Sequence, residues 1–215
     1  MSNKNRVHIL LIDNYDSFTF NLQHLIAVNS DVVLTVKRND EDFIKEIENG
    51  VYSGVVIGPG PGSPEDDEYF GFNKKVILDF GTQGLPILGI CLGFQGIYNC
   101  FGGALKIAKL PMHGKVSELQ ITGNSLILEN IPNGTKIMRY HSILADLDKA
   151  IPESLNLTAY TYPSLSQEIN GKELMALEHR EYPIYGLQFH PESFATEYGD
   201  QVILNFIKKC REAID

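Results

Sequence analysis

The apolar positions of the first hundred residues come in short runs separated by amphipathic stretches. Val7 to Ile12 is an apolar run that stops at Asp13 and reads as a buried strand. Phe18, Leu22, Leu25 and Ile26 then share one face at helical spacing. Asp31 to Val36 reads as a second strand. Asp40 to Glu48, with Phe43, Ile44 and Ile47 on one face and Gly50 just beyond, reads as a helix with its stop signal. Val55 to Ile57 predicts a third strand and Lys74 to Phe80 a third helix. Pro86 to Ile90 and Leu92 to Phe101 predict a fourth pair. The strands are continuously apolar, as expected when helices cover both sheet faces. This half therefore predicts an open, doubly wound α/β sheet with a parallel core.

The second half has a shorter rhythm. Lys115 to Leu119, Leu126 to Leu128, Lys136 to Tyr140, Leu155 to Tyr160, Leu174 to Leu177 and Ile184 to His190 are strand-like. Turn signals such as Thr122-Gly123-Asn124, Pro132-Asn133-Gly134 and Asn170-Gly171 separate them. They predict mixed or antiparallel strands added to the first sheet. A closing helix, Gly199 to Arg211, turns Val202, Ile203, Phe206, Ile207 and Cys210 to one side. No repeat or linker interrupts the pattern, so one domain is expected over 1–215.

Composition narrows the function classes. The chain has 215 residues, 43% hydrophobic and 21% charged, with a formal net charge of -9. At this size folding buries about 70% of the unfolded surface, enough for a core without staples. The acidic balance argues against a nucleic-acid or anionic-membrane binder, since phosphate contacts need a basic face. Three cysteines, Cys91, Cys100 and Cys210, do not make a disulfide framework, and their spacing does not suggest zinc. The stretch Leu85 to Ile97 is too short and too broken to span a bilayer. A reduced, soluble, cytoplasmic protein is expected.

The chemistry centres on Gly89-Ile90-Cys91-Leu92-Gly93, a G-x-C-x-G turn between a strand and a helix. This is the thiol form of the nucleophile elbow, in which a strained turn lifts the nucleophile out at the sheet edge. The helix that follows favours thiolate. A buried, inert cysteine is the alternative reading, and it is the one given to Cys100 and Cys210. Among six histidines His190 is the best acid/base partner, because it ends an apolar run and precedes Pro191-Glu192. In extended backbone i and i+2 point the same way, so Glu192 would stand beside the ring and orient it. A strand-end histidine with a surface glutamate is the rival. His8 and His24 read as packing or surface residues, and His179, among Glu178, Arg180 and Glu181, reads as solvated.

Gly58-Pro59-Gly60-Pro61-Gly62-Ser63-Pro64 follows the third strand as a stiff loop whose N–H groups can approach a ligand. It would supply one oxyanion donor and the Leu92 N–H a second. A phosphate cradle lacks its lysine. Ser63, Pro64 and the acids Glu65 to Glu68 read as the start of a helix, and no metal is assigned to them. Gln95 lies one turn after Cys91, with substrate binding and packing both open. Arg139-Tyr140-His141-Ser142 alone says little.

In combination these residues resemble the class I (triad) glutamine amidotransferases. With Gln188-Phe189-His190-Pro191-Glu192 completing the set, the added segments Asp13-Asn14-Tyr15-Asp16-Ser17-Phe18-Thr19 and Met112-His113-Gly114-Lys115 narrow the resemblance to the small-subunit branch of anthranilate synthase and aminodeoxychorismate synthase. The resemblance runs from about Val7 to Cys210. It implies that Cys91 attacks the glutamine amide, that His190 shuttles protons and that Glu192 orients it. It also implies that Leu92 and Gly60, with Gly62 a close second and Pro61 between them, frame the oxyanion. Gln95, Ser142 and Ile143 would hold the amino-acid end. Ammonia would pass to a large chorismate-binding synthase subunit, to which the family's Mg²⁺ belongs, so no metal or cofactor is expected in this chain. The Asp13 to Thr19 and Met112 to Lys115 segments would face that partner. Phe94 stands where the family usually has His, which would alter packing behind the nucleophile, and Gly58 where Ser is common. A stand-alone cysteine hydrolase on the same fold and a non-catalytic regulatory subunit are the competing functions.

Overall fold

The computed structural model describes residues 6–213. Nine strands form one sheet in the order β2-β1-β3-β4-β9-β8-β7-β5-β6. They are β1 (Val7–Asp13), β2 (Val32–Arg38), β3 (Gly54–Ile57), β4 (Ile87–Ile90), β5 (Leu105–Ile121), β6 (Lys136–Ala145), β7 (Leu155–Thr161), β8 (Leu174–His179) and β9 (Ile184–Leu187). The first five in spatial order pair in parallel, and the remaining pairs are antiparallel.

Two apolar clusters lie on opposite sheet faces, and the period of two along β1 divides its residues between them. Val7, Ile9 and Leu11 join Leu22 and Ile26 of α1 (Thr19–Ala27) and Val202, Ile203, Phe206, Ile207 and Cys210 of α7 (Gly199–Glu212). Leu10 and Ile12 join the other side. There they meet Ile44 and Ile47 of α2 (Ile44–Glu48) and Leu92, Phe94 and Ile97 of α5 (Leu92–Cys100). Each buried Leu, Ile or Phe contributes roughly 1.5–3 kcal/mol. A one-residue slip of β1 would exchange the two sets, so packing fixes its register.

The doubly wound parallel core with added antiparallel strands is the architecture expected from the sequence. β9 lies parallel beside β4, so the second half of the chain supplies the fifth strand of the core. The carboxyl ends of β1, β3, β4 and β9 therefore come together at one edge of the sheet, where ligands bind in folds of this kind.

Several expectations need correction. Leu126 to Leu128 is a bend and turn, not a strand: Ile127 and Leu128 are buried, and Glu178 binds the Ile127 N–H at 3.0 Å. Ser63 does not cap a helix that begins at Pro64. Asp66 does so, accepting from the Glu68 and Tyr69 N–H groups ahead of α3 (Asp67–Phe70). The helix expected over Lys74 to Phe80 begins as α4 (Asn73–Lys75), widens to a π-helical turn over Val76–Phe80 and tightens to a 3₁₀ turn over Gly81–Gln83. Helix α6 (Leu165–Asn170) carried no sequence signal strong enough to place it. His179 is half-buried against Phe101, with ring centroids 4.6 Å apart, so its solvated reading fails.

Candidate active site

Cys91 follows β4 directly and caps α5. Its φ of 52° and ψ of -98° lie in a region that non-glycine residues rarely adopt. The strain is held from both sides: the Cys91 N–H donates to Leu187 of β9 at 2.8 Å, and its carbonyl accepts from the Gln95 N–H at 3.0 Å. Gly93 is required where α5 crosses β3, because a Cβ there would sit 2.4 Å from the Ile57 carbonyl oxygen. The turn therefore projects the thiol beyond the sheet and leaves the Leu92 N–H in the helix's first turn, without an intrahelical acceptor.

Gly60, Pro61, Gly62, Cys91, Gln95, Ser142 and Ile143 line one cavity of about 240 Å³, together with His113, Tyr140 and His141. The size suits a small polar molecule. Leu92, expected at the site, is not among the lining residues, and its side chain is in the core. His190 and Glu192 do not line the cavity; His190 lies against Cys91 and Tyr140, with Glu192 on its far side.

The His190 Nδ1 lies 2.6 Å from Glu192 Oε1, and these side chains are only 3% and 0% exposed. Among the described residues the His190 Nε2 has no hydrogen-bond partner, which leaves it available as a proton carrier. Burial opposes charge on this ring, but the Cys91 sulfur, and then Glu192, outweigh it and hold the pKa well above the ordinary histidine value. The raised pKa favours the imidazolium form of His190 beside the sulfur. The His190 N–H donates to the Met138 carbonyl at 3.1 Å, and the His190 carbonyl accepts from Thr196 Oγ1 at 2.6 Å, which fixes the ring's backbone. Phe18 and Tyr140, themselves 5.1 Å apart, both pack against the ring, with centroids 5.9 and 5.4 Å away. Phe18 thus belongs to the site and not to the core face of α1.

Three supporting residues carried no role in the sequence reading. Asn14 is fully buried; its Nδ2 donates to the Gly58 carbonyl at 2.8 Å, its Oδ1 accepts from Asn73 at 2.6 Å, and its carbonyl accepts from the Tyr69 hydroxyl at 3.0 Å. It pins the glycine-rich loop to the end of β1. Gln188 donates toward Cys91 Sγ at 3.7 Å and accepts from Gln95 Nε2 at 3.2 Å. The alternation that aligned His190 with Glu192 also aligns Gln188 with His190, and that signal could have found it. His141 is buried beside the cavity, accepting from Arg139 at 3.2 Å.

Phe94, one position from the elbow glycine, is fully buried and does not line the cavity. It packs toward Gly186 of β9, where an added Cβ would meet its ring at 3.1 Å. Cys100 and Cys210 lie outside the site, and burial pushes the Cys100 thiol up to about 11. Among the described residues, no group of three or more His, Cys, Asp or Glu side chains is arranged to hold a metal ion, and no helix is long and apolar enough to cross a membrane.

Comparison with known proteins gives this geometry a context. Residues 10–210 match the family described as glutamine amidotransferase class-I. Anthranilate synthase component 2 of Leptospira biflexa is 39% identical over 204 residues, covering 93% of this chain and 98% of that protein. The aminodeoxychorismate synthase of Streptomyces pristinaespiralis is 38% identical over 201 residues, covering 93% of this chain and 26% of that longer protein. A glutamine amidotransferase structure from Thermotoga maritima superposes with a TM-score of 0.72 at 18% identity, covering 87% of this chain and 76% of that one, which speaks to the fold alone.

Proposed function

The chain belongs to the class-I glutamine amidotransferase family, and from that premise we propose that it hydrolyses glutamine at Cys91 and delivers the ammonia to a chorismate-aminating synthase subunit. The observation that carries this reading is the strained Cys91 turn, open to the cavity and backed by the buried His190–Glu192 pair.

The chemistry follows from the placement. Glutamine enters with its amino-acid end toward Gln95, Ser142 and Ile143 and its side-chain amide toward Cys91. The thiolate attacks the amide carbon. The N–H groups of Leu92 and Gly60 receive the developing oxyanion at the start of α5 and in the glycine-rich loop. His190, held as imidazolium, gives its Nε2 proton to the departing nitrogen, and ammonia leaves with a γ-glutamyl thioester behind. The now neutral ring takes a proton from water, which attacks the thioester. Glutamate leaves and the sulfur returns to thiolate. Glu192 orients the ring throughout.

Ammonia released into water would be protonated and lost as a nucleophile, so the site calls for a partner that covers its mouth. Apolar surface around the triad fits such a partner. Phe194, two residues past Glu192, is 96% exposed, and Phe20, two past Phe18, is 78% exposed. Chorismate and the Mg²⁺ expected for its amination are assigned to the partner and not to this chain.

The test is Cys91→Ser in complex with an anthranilate-type or an aminodeoxychorismate-type synthase subunit. Glutamine-dependent product should vanish while ammonia-dependent product stays at the wild-type rate. Loss of the ammonia-dependent rate would overturn the division of labour, and strong glutaminase activity of the chain without any partner would favour a stand-alone hydrolase.

A further inference from the structure

We infer that His141 is a positioning residue for glutamine: Arg139 locks its ring as the Nδ1–H tautomer, and that N–H sets the Ile143 carbonyl on the amino-acid end of the substrate. The inference rests on the glutamine reading above and deepens it.

The lock follows from donor chemistry. Arg139 Nε lies 3.2 Å from His141 Nε2, and a guanidinium can only donate. The Nε2 must therefore offer its lone pair, and the neutral ring carries its proton on Nδ1. Arg139 cannot turn away, because it is itself fully buried and held on its other edge. Its Nη1 donates to Ser117 at 3.0 Å and Ser166 at 3.3 Å, and its Nη2 makes an ion contact with Glu173 Oε1 at 2.7 Å. Glu173 is held in turn by Ser166 at 2.9 Å and Asn170 at 2.8 Å. A buried chain thus runs from α6 and Glu173, just before β8, through Arg139 to the cavity wall. A charge pair with both partners fully buried is a weak source of net stability, so its conformational specificity is the more telling property.

The far edge of the ring is unfinished. Among the described residues the buried His141 Nδ1 has no hydrogen-bond partner, an arrangement that costs free energy unless something completes it. The backbone of Ile143 is the group that favours a proton on this ring. The Ile143 carbonyl accepts from Gln95 Nε2 at 3.1 Å and keeps a second lone pair, and His141, Gln95 and Ile143 all line the same cavity. Catalytic hydrogen bonds that are long in an empty site commonly tighten in the filled one. Glutamine binding draws the Ser142–Ile143 wall inward and closes the Nδ1–H bond.

The ring also has to stay neutral for the lock to hold. Burial, then the Arg139 cation, then His190 and His113 oppose its protonation, and only the Ile143 backbone favours it. The charged and titratable groups facing it are thus Arg139 on its own strand, His113 on β5 and His190 beyond β9.

The experiment uses the complex with a chorismate-aminating subunit and glutamine as the varied substrate. His141→Ala should raise KM for glutamine by about tenfold or more, the scale of a buried donor lost from its acceptor, with the ammonia-dependent rate unchanged. His141→Asn places an amide N–H where Nδ1 stood and should recover most of the loss. His141→Gln places it at the Nε2 position and should not. Nitrogen-15 spectra of the histidine-labelled full chain should show His141 unprotonated at Nε2 throughout the range in which free imidazole titrates. An unchanged KM in His141→Ala, equal behaviour of the Asn and Gln variants, or a protonated Nε2 would overturn the inference. A wild-type complex that releases no glutamate from glutamine would instead refute the glutamine reading, and the spectra would still decide the tautomer.

Discussion

Glu192→Gln keeps the shape of the side chain behind His190 and removes its charge. It weakens the 2.6 Å bond to Nδ1, made between two side chains that are 3% and 0% exposed, so solvent screens little of the effect. A hydrogen bond to a charged group contributes about 1.5–3 kcal/mol, which at 1.36 kcal/mol per decade is roughly a 10- to 150-fold fall in kcat. His190→Ala removes the proton carrier itself and should cost about 10²- to 10⁴-fold. The KM for glutamine should change little, because Glu192 does not line the cavity. The pH profile carries a second signature. Burial opposes charge on His190 while Cys91 and Glu192 raise its pKa, so the imidazolium is present below that raised value and lost as pH climbs through it. Without the carboxylate the pKa falls, and the alkaline limb of kcat/KM must move to lower pH. Glutamate release by the complex at saturating chorismate, followed across pH, reads both effects. An unmoved alkaline limb with kcat within about threefold of wild type, well below the expected loss, would refute the carboxylate's role.

Two further perturbations test the frame around the site. Gly93→Ala puts a Cβ 2.4 Å from the Ile57 carbonyl oxygen, and strand backbone cannot yield as a side chain would; the urea midpoint should fall by the equivalent of about 1–3 kcal/mol, and alkylation of Cys91 by a glutamine-like electrophile should slow. Arg139→Met strands the fully buried Glu173 carboxylate and should destabilise the chain by about 3–5 kcal/mol in denaturant titration, whereas adding Glu173→Leu should recover most of that loss.

The parts of the fold and site that could be read from sequence are those set by local pattern. The strand–helix alternation up to Phe101, the elbow at Cys91 and the His190–Glu192 alignment all follow from period and turn chemistry acting over a few residues. What escaped depends on distant partners. β9 joins β4 in parallel although nearly a hundred residues separate them, and nothing in Ile184 to Leu187 encodes that choice. β5 extends over 17 residues through Gly114, where the pattern shows a strand only from Lys115, because irregular pairing with β6 carries it past that glycine. Leu126 to Leu128 has the apolarity of a strand but serves as a plug, held by Glu178 from β8. Asn14 looked like part of a loop because its three hydrogen-bond partners lie 44 to 59 residues away.

The arrangement of charge around the thiol explains why two histidines stand so close to it without competing. Cys91 and Glu192 drive the pKa of His190 up, whereas burial, Arg139 and His190 itself drive that of His141 down. Groups whose environments push their pKa values apart take different roles at one pH. In the proposed mechanism a second imidazolium beside the sulfur would share its charge with His190 and weaken the acid assigned to the leaving nitrogen. Arg139 prevents this in two ways, since its cation opposes protonation of His141 and its N–H occupies the lone pair that a proton would need. In the proposed mechanism the buried Glu173–Arg139 pair therefore acts from behind the cavity wall, by leaving His190 as the ring that carries the mobile proton.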